Sequence, residues 1–210
     1  MNDEQISFCI NDITKELYDK YKTSNFLAVD TEAMGLVHGR DRLCLIQICD
    51  ENNLTSCIKI EKDNHKSEHI KSLFEDSKLM KIFHYARFDI AALKCNLNIK
   101  TSNIFCTKVA SKLARTYTNK HGLKDLIYEL CSIELDKSSQ SSDWGSEENL
   151  SNAQIKYAAN DVKYLIIAMQ KLTEILKREK RYDLAQKCFK TIPVHAELDI
   201  NHFFNIFEHH

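Results

Sequence analysis

Asp30 and Glu32 stand one residue apart at the end of the apolar run FLAVD, so on a strand both carboxylates project to the same side. Asp89 lies five residues after His84 in HYARFD, close to the start of a helical segment, where negative charge is favoured. Tyr157 and Asp161, in YAANDVKYL, are four apart and share one helix face, a turn from each other. Each feature alone has a bland reading: a strand end meeting water, a helix start, a solvated helix surface. Together, four acids from a strand end, a helix start and a late helix are a supply of hard oxygen ligands suited to two divalent cations, Mg²⁺ or Mn²⁺. Two such ions about 3.5 to 4 Å apart activate an attacking water and steady the leaving oxygen of a phosphodiester. The expected chemistry is therefore hydrolysis of a phosphate ester.

The elements that must position these groups are visible in the hydrophobic pattern. FLAVD (26 to 30), LCLIQICD (43 to 50) and LTSCIKI (54 to 60) read as three strands with short connections, an antiparallel meander. HIKSLFED reads as a helix and MKIFH as a short strand, after which RFDIAALKC, IFCTKVASKLART and HGLKDLIYELC read as helical. Ser151 and Gln154 form a capping box that starts a helix whose apolar positions run from Ile155 through Met169. Pro193 is expected to end a later helix. Strands, then alternation, then helices predict an α/β domain with a mixed central sheet.

The chain has 210 residues, 43% of them apolar, and a net charge near −1. That suits one globular domain with a helical C-terminal extension from about 177, and it excludes a global attraction for long polyanions. Eight cysteines are scattered singly through apolar segments, which fits reduced core thiols. With no signal sequence or membrane span legible, a cytoplasmic location is expected. His65 and His69 are four apart, but Glu68 is misplaced for a zinc protease helix and the segment is charged throughout.

Asp30-x-Glu32, His84-x-x-x-x-Asp89 and Tyr157-x-x-x-Asp161, in this order, resemble the three motifs of the DEDD superfamily of 3′-5′ exonucleases. Tyr157 makes the chain similar to the DEDDy, ribonuclease D-like branch; the histidine variant needs a His where Lys156 stands. The resemblance covers residues 26 to 176 and is closest to the nano-RNase C group, compact alphaproteobacterial enzymes that degrade dinucleotides. It implies a ribonuclease H-like exonuclease fold, with Asp30, Glu32, Asp89 and Asp161 as metal ligands and Tyr157 orienting the attacking water. It also implies a short RNA substrate, nucleoside 5′-monophosphate products, and a ring-like homo-oligomer, an octamer by family resemblance.

Within that resemblance Leu36, in EAMGL, is expected to wedge between two bases, with Gly35 letting the backbone turn. His84 is a candidate substrate contact. Arg115, Tyr117, Lys120 and His121 lie in a basic stretch between Lys108 and Lys124 that could capture a 5′ phosphate. Gln140, Ser142 and Trp144 resemble a family signature, Trp144 as a packing anchor. The tail residues Phe203, Phe204, Ile206 and Phe207 are expected to dock, on their own domain or on another subunit. Two alternatives stay open: trimming of longer RNA or of DNA ends, and a nucleic-acid-binding protein without chemistry.

Overall fold

The apolar run that leads into the first acid pair becomes a central strand of a six-stranded sheet. The computed structural model describes residues 6–135, 142–146 and 150–209. Strands β1 (Ile6–Ile10), β2 (Phe26–Ala33), β3 (Leu43–Asp50), β4 (Thr55–Lys59), β5 (Met80–Phe83) and β6 (Ile104–Cys106) lie in the order β1-β4-β3-β2-β5-β6. The pairs β2/β3 and β3/β4 are antiparallel, as the short connections predict, while β1/β4, β2/β5 and β5/β6 are parallel. The sheet is therefore mixed.

Helices α1 (Lys15–Lys22), α2 (Glu68–Glu75), α3 (Ala86–Leu97), α4 (Thr107–Ala114), α5 (Leu123–Cys131), α6 (Asn152–Lys163), α7 (Leu165–Arg178) and α8 (Tyr182–Ile200) cover the sheet. Helix α6 lies across β2, β3 and β4, while α8 packs on α3 and α4. Leu27, Ala28 and Val29 of β2 are fully buried in the main core. A smaller cluster of Cys44, Leu45, Cys57, Trp144, Tyr157, Ala158 and Ala159 fills the space under α6. The expected capping box is present: Ser151 Oγ accepts from Gln154 N at 3.3 Å, and Ser151 N donates to Gln154 Oε1 at 2.9 Å.

Four expectations are revised. IFC in IFCTKVASKLART is not helical but the edge strand β6, with the helix starting at Thr107. The helix expected to run on from Ser151 is interrupted at Tyr164, whose φ of −104° and ψ of 0° separate α6 from α7. Pro193 does not end a helix; α8 continues through it to Ile200, held by buried Phe189, Ile192 and Ala196 on the core side. This packing outweighs the one backbone hydrogen bond that proline removes. Finally, the tail does not sink into its own domain, since Phe203, Phe204, Ile206 and Phe207 remain 54 to 73% exposed.

Candidate active site

Strand β2 delivers Asp30 and Glu32 to the face covered by α6, and α6 returns Asp161 one turn after Tyr157. One carboxylate oxygen from each of Asp30, Glu32 and Asp161 lies within 4.8 Å of the others. At that separation two ionised carboxylates repel by on the order of 3 kcal/mol at an effective dielectric of 20. Asp30, Glu32 and Asp89 answer by holding their protons more tightly than ordinary carboxyls do. Burial, and then the charges of Asp89, Asp161 and Glu32, push the Asp30 carboxyl well above the usual carboxylate range. Burial followed by the charges of Asp161 and Asp89 pushes Glu32 up to about 8. A cluster of oxygens this poor in protein cations is chemically matched to a hard divalent ion.

Asp89 stands apart from that trio. Thr31, between the two acids of β2 and facing the other way, donates its hydroxyl to Asp89 Oδ1 at 2.7 Å. Burial pushes Asp89 up to about 7 in spite of this bond. Thr31 therefore holds the fourth carboxylate within electrostatic reach of the others, a role invisible without the fold. Thr31→Val, which keeps the shape and removes the donor, is expected to lower cation affinity about tenfold, as loss of a partner behind a metal ligand commonly does. Titration calorimetry with Mn²⁺ checks this; unchanged affinity would leave Thr31 a packing residue.

The Tyr157 phenol is pushed up, by burial first and then by the charges of Asp161, Glu32 and Asp30, and hydrogen-bonds to Asp161. It keeps its proton at neutral pH, so it can aim a water but is a poor base. Trp144, 5% exposed, packs against Tyr157 with ring centroids 6.3 Å apart, in line with a packing anchor. Ser142 lies just before it and its carbonyl accepts from Trp144 N. Gln140 falls outside the described residues.

His84 ends β5 beside the acids. Thr107 Oγ1 donates to the Phe83 carbonyl at 3.1 Å, so its oxygen accepts from His84 Nδ1 at 2.9 Å, which fixes the Nδ1–H tautomer of neutral His84. Asp30, Glu32, Asp161, Tyr157 and His84 line a cavity of about 320 Å³ that also takes in Lys108 and Lys124, whereas Asp89 is not in its lining. Lys108 lies 4.4 Å from the ring centroid of Tyr85. Tyr85, the residue before α3, is held at φ 74° and ψ 44°, a left-handed conformation costly for a large side chain. Lys108 and Lys124, the two ends of the basic stretch, are the members of it that line this cavity; Tyr85 was not singled out by sequence and needed the backbone conformation to be seen.

A second cavity, of about 270 Å³, is lined by Leu36, Val37, His38, Tyr85, Phe88, Asp199, His202 and Phe204, and Tyr85 links the two through its contact with Lys108. Leu36 is 81% exposed, so it is not a core leucine. Gly35 is required here for a reason other than a left-handed turn: a Cβ at this position would collide with the Asp41 carboxylate. That carboxylate accepts from Val37 N at 2.9 Å and ties down the loop carrying Leu36.

The basic stretch is arranged differently from the expectation. Arg115 is fully buried, its guanidinium paired with Glu129 and bonded to Ser111 Oγ and the Lys120 carbonyl, both at 2.9 Å. Tyr117 also donates to Glu129, and His121 Nδ1 lies 2.9 Å from Ser111 Oγ. The Arg115 guanidinium holds Glu129 down to about 2. Arg115 is thus a strut joining α4 to α5, where a phosphate-capturing group was expected. Its burial needs a paired charge, and Glu129 supplies it.

A 3′-5′ exonuclease family model matches residues 6–177. The structure of Brucella melitensis NrnC bound to pGG is 41% identical, with a TM-score of 0.92, over 98% of this chain and 99% of that one. Brucella melitensis NrnC with bound Mg²⁺ is 40% identical, with a TM-score of 0.92, over 98% and 100%. Ribonuclease D of Gluconacetobacter diazotrophicus is 30% identical over 165 residues, 79% of this chain. The chain spans 41% of the length of that relative. The chain belongs to the 3′-5′ exonuclease family, in its ribonuclease D-like DEDDy branch, and over almost its whole length it is similar to NrnC.

Proposed function

We propose that the chain is a metal-dependent 3′-5′ exoribonuclease that hydrolyses very short RNA, dinucleotides above all, to nucleoside 5′-monophosphates. The observation that carries this reading is the acid cluster together with a small, mostly apolar cavity that has Leu36 in its lining and is linked to the acids' cavity through the Lys108–Tyr85 contact, room for a base or two rather than a long strand. The similarity to an NrnC bound to pGG supports the same substrate class.

The donor set is wholly oxygen, crowded and short of countercharge, which fits Mg²⁺ or Mn²⁺. Asp30, Glu32, Asp89 and Asp161 would hold two such ions, which supply positive charge against the scissile phosphate and lower the pKa of the attacking water. The remaining work falls to the chain itself. Tyr157 keeps its proton and orients the water. His84 stands in the wall of the cavity with its ring held through Nδ1 by Thr107. Lys108 and Lys124 face the phosphate with cations. Water adds to phosphorus and gives up a proton, the bond from phosphorus to the 3′ oxygen breaks, and the departing 3′ oxygen takes up a proton to become the hydroxyl, leaving the phosphate on the 5′ side of the released nucleoside.

We read residues 1–210 as one exonuclease domain in which α8 and the tail form the helical extension. The exposed aromatic tail supports assembly into a homo-oligomer, a ring by resemblance, and the singly placed thiols, which form no disulfide among the described residues, support a cytoplasmic setting. Among the described residues no helix is long and apolar enough to cross a membrane. A cleft of about 920 Å³ whose lining carries four cations, Arg40, Arg42, Lys59 and Lys62, against two acids, Glu61 and Asp63, favours a second reading, trimming of longer RNA or DNA ends.

Chromatography of the products from a dinucleotide incubated with Mn²⁺ tests the primary reading. Nucleoside 5′-monophosphate is expected; a 3′-phosphate or intact substrate would overturn it. Leu36→Ala is expected to reduce dinucleotide turnover about tenfold, the scale of one lost apolar contact of 1–3 kcal/mol, with an unchanged melting temperature. Unchanged turnover would remove Leu36 from the substrate site.

A further inference from the structure

Gln47 is a buried polar side chain with no visible work. It lies in β3, is fully buried, and among the described residues neither its amide nitrogen nor its amide oxygen has a hydrogen-bond partner. A buried amide left unsatisfied is costly, so such a group needs either a water or a partner present in another state of the molecule.

The sheet register identifies that partner. Gln47 is directly opposite Asp30 in the antiparallel β2/β3 ladder. Directly paired residues project to the same face, with Cβ atoms about 4.5 to 5.5 Å apart. Gln47 thus shares the face on which Asp30 meets Glu32 and Asp161. Its neighbour on the other side is Cys57 of β4, whose thiol is turned to the Ile155 carbonyl at 3.8 Å. Asp30 is the charged group directly opposite it, with Glu32 of β2 and Lys59 of β4 as its more distant diagonal neighbours.

We propose that Gln47 is a positioning residue for Asp30, its amide N–H bonding the carboxylate oxygen not committed to a cation and so fixing the Asp30 rotamer. The inference rests on the metal-site reading above and adds to it a residue from a strand that carries none of the four acids. It also explains why a polar side chain interrupts the apolar run LCLIQICD: an isosteric apolar residue would fill the same space but could not hold Asp30.

The test is titration calorimetry of the full chain with Mn²⁺, on wild type, Gln47→Met and Gln47→Leu, with thermal melts in chelator alongside. Both variants are expected to melt no lower than wild type in chelator, because an unsatisfied amide has been removed, while binding Mn²⁺ about 10- to 100-fold more weakly, the usual cost of losing a partner behind a metal ligand. Weaker binding without lost stability is the combination a purely structural role does not give. Affinities within twofold of wild type would overturn the proposal, leaving Gln47 to an ordered water. Loss of folded protein in both variants would overturn it as well, making Gln47 part of the core. Wild-type protein that binds no Mn²⁺ would instead overturn the metal-site reading on which the proposal rests.

Discussion

Asp161→Asn is expected to leave a folded protein whose turnover of a dinucleotide has dropped by about a thousandfold or more, the upper range for removing one electrostatic element of an active site. Asp161 sits on α6 one turn after Tyr157, and its oxygen is one of the three that converge within 4.8 Å. Asparagine keeps the volume and one oxygen but removes the charge that a cation requires. The same change relieves repulsion on Asp30 and Glu32, both pushed up in part by the charge of Asp161. The melting temperature in chelator is therefore expected to stay level or rise while activity collapses. Tyr157→Phe is the matched control: it removes a water-orienting hydroxyl and leaves every carboxylate, so a measurable residue of activity is expected. Turnover with Mn²⁺ and melts in chelator check both, and equal loss of folded protein in the two variants would contradict the catalytic assignment.

Adding Mn²⁺ at a hundredfold excess over its dissociation constant is expected to stabilise the wild-type fold by about 2.7 kcal/mol, which for a chain of this size is roughly 5 to 10 °C in melting temperature. At one fixed Mn²⁺ concentration the shift should be larger at pH 8 than at pH 6, because protons compete less for the carboxylates. Folding lifts Glu32 from its ordinary value near 4.5 to about 8 and Asp89 from near 3.8 to about 7. Between those limits the folded chain binds more protons than the unfolded one, so without metal its stability falls as pH rises through the window. A divalent cation supplies the missing positive charge where protons no longer do. Melts at the two pH values, with Mn²⁺ and with chelator, test this. A cation shift that is absent, or equal at both pH values and in Asp161→Asn, would contradict it.

The parts of the site that were legible from sequence are those set by local periodicity. Asp30 and Glu32 share a strand face, and Tyr157 and Asp161 share a helix face behind a capping box, because spacing alone fixes those directions. The meander β2-β3-β4 was legible for the same reason. The short parallel edges were not: β1 hides in a polar start, and β6 has only three residues, indistinguishable from the first turn of a helix until it pairs with β5. Pro193 misled because packing around α8 overrides a local breaker. Arg115 misled because a basic run looks like a solvated face, and only the fold brings Glu129 to it from α5. Thr31 and Gln47 could not be read at all, since the role of each depends on which residue the sheet sets beside it.

Cleavage of 5′-labelled RNAs from two to about ten nucleotides, with Mn²⁺, with Mg²⁺ and with chelator, tests the central claim most directly. Fast loss of the dinucleotide, slower loss of every longer RNA and no cleavage in chelator are the predicted results. Equal or faster trimming of the longer RNAs would contradict the dinucleotide assignment and favour the cleft lined by Arg40, Arg42, Lys59 and Lys62 as a path for longer strands. Cleavage that persists in chelator would contradict the metal site itself.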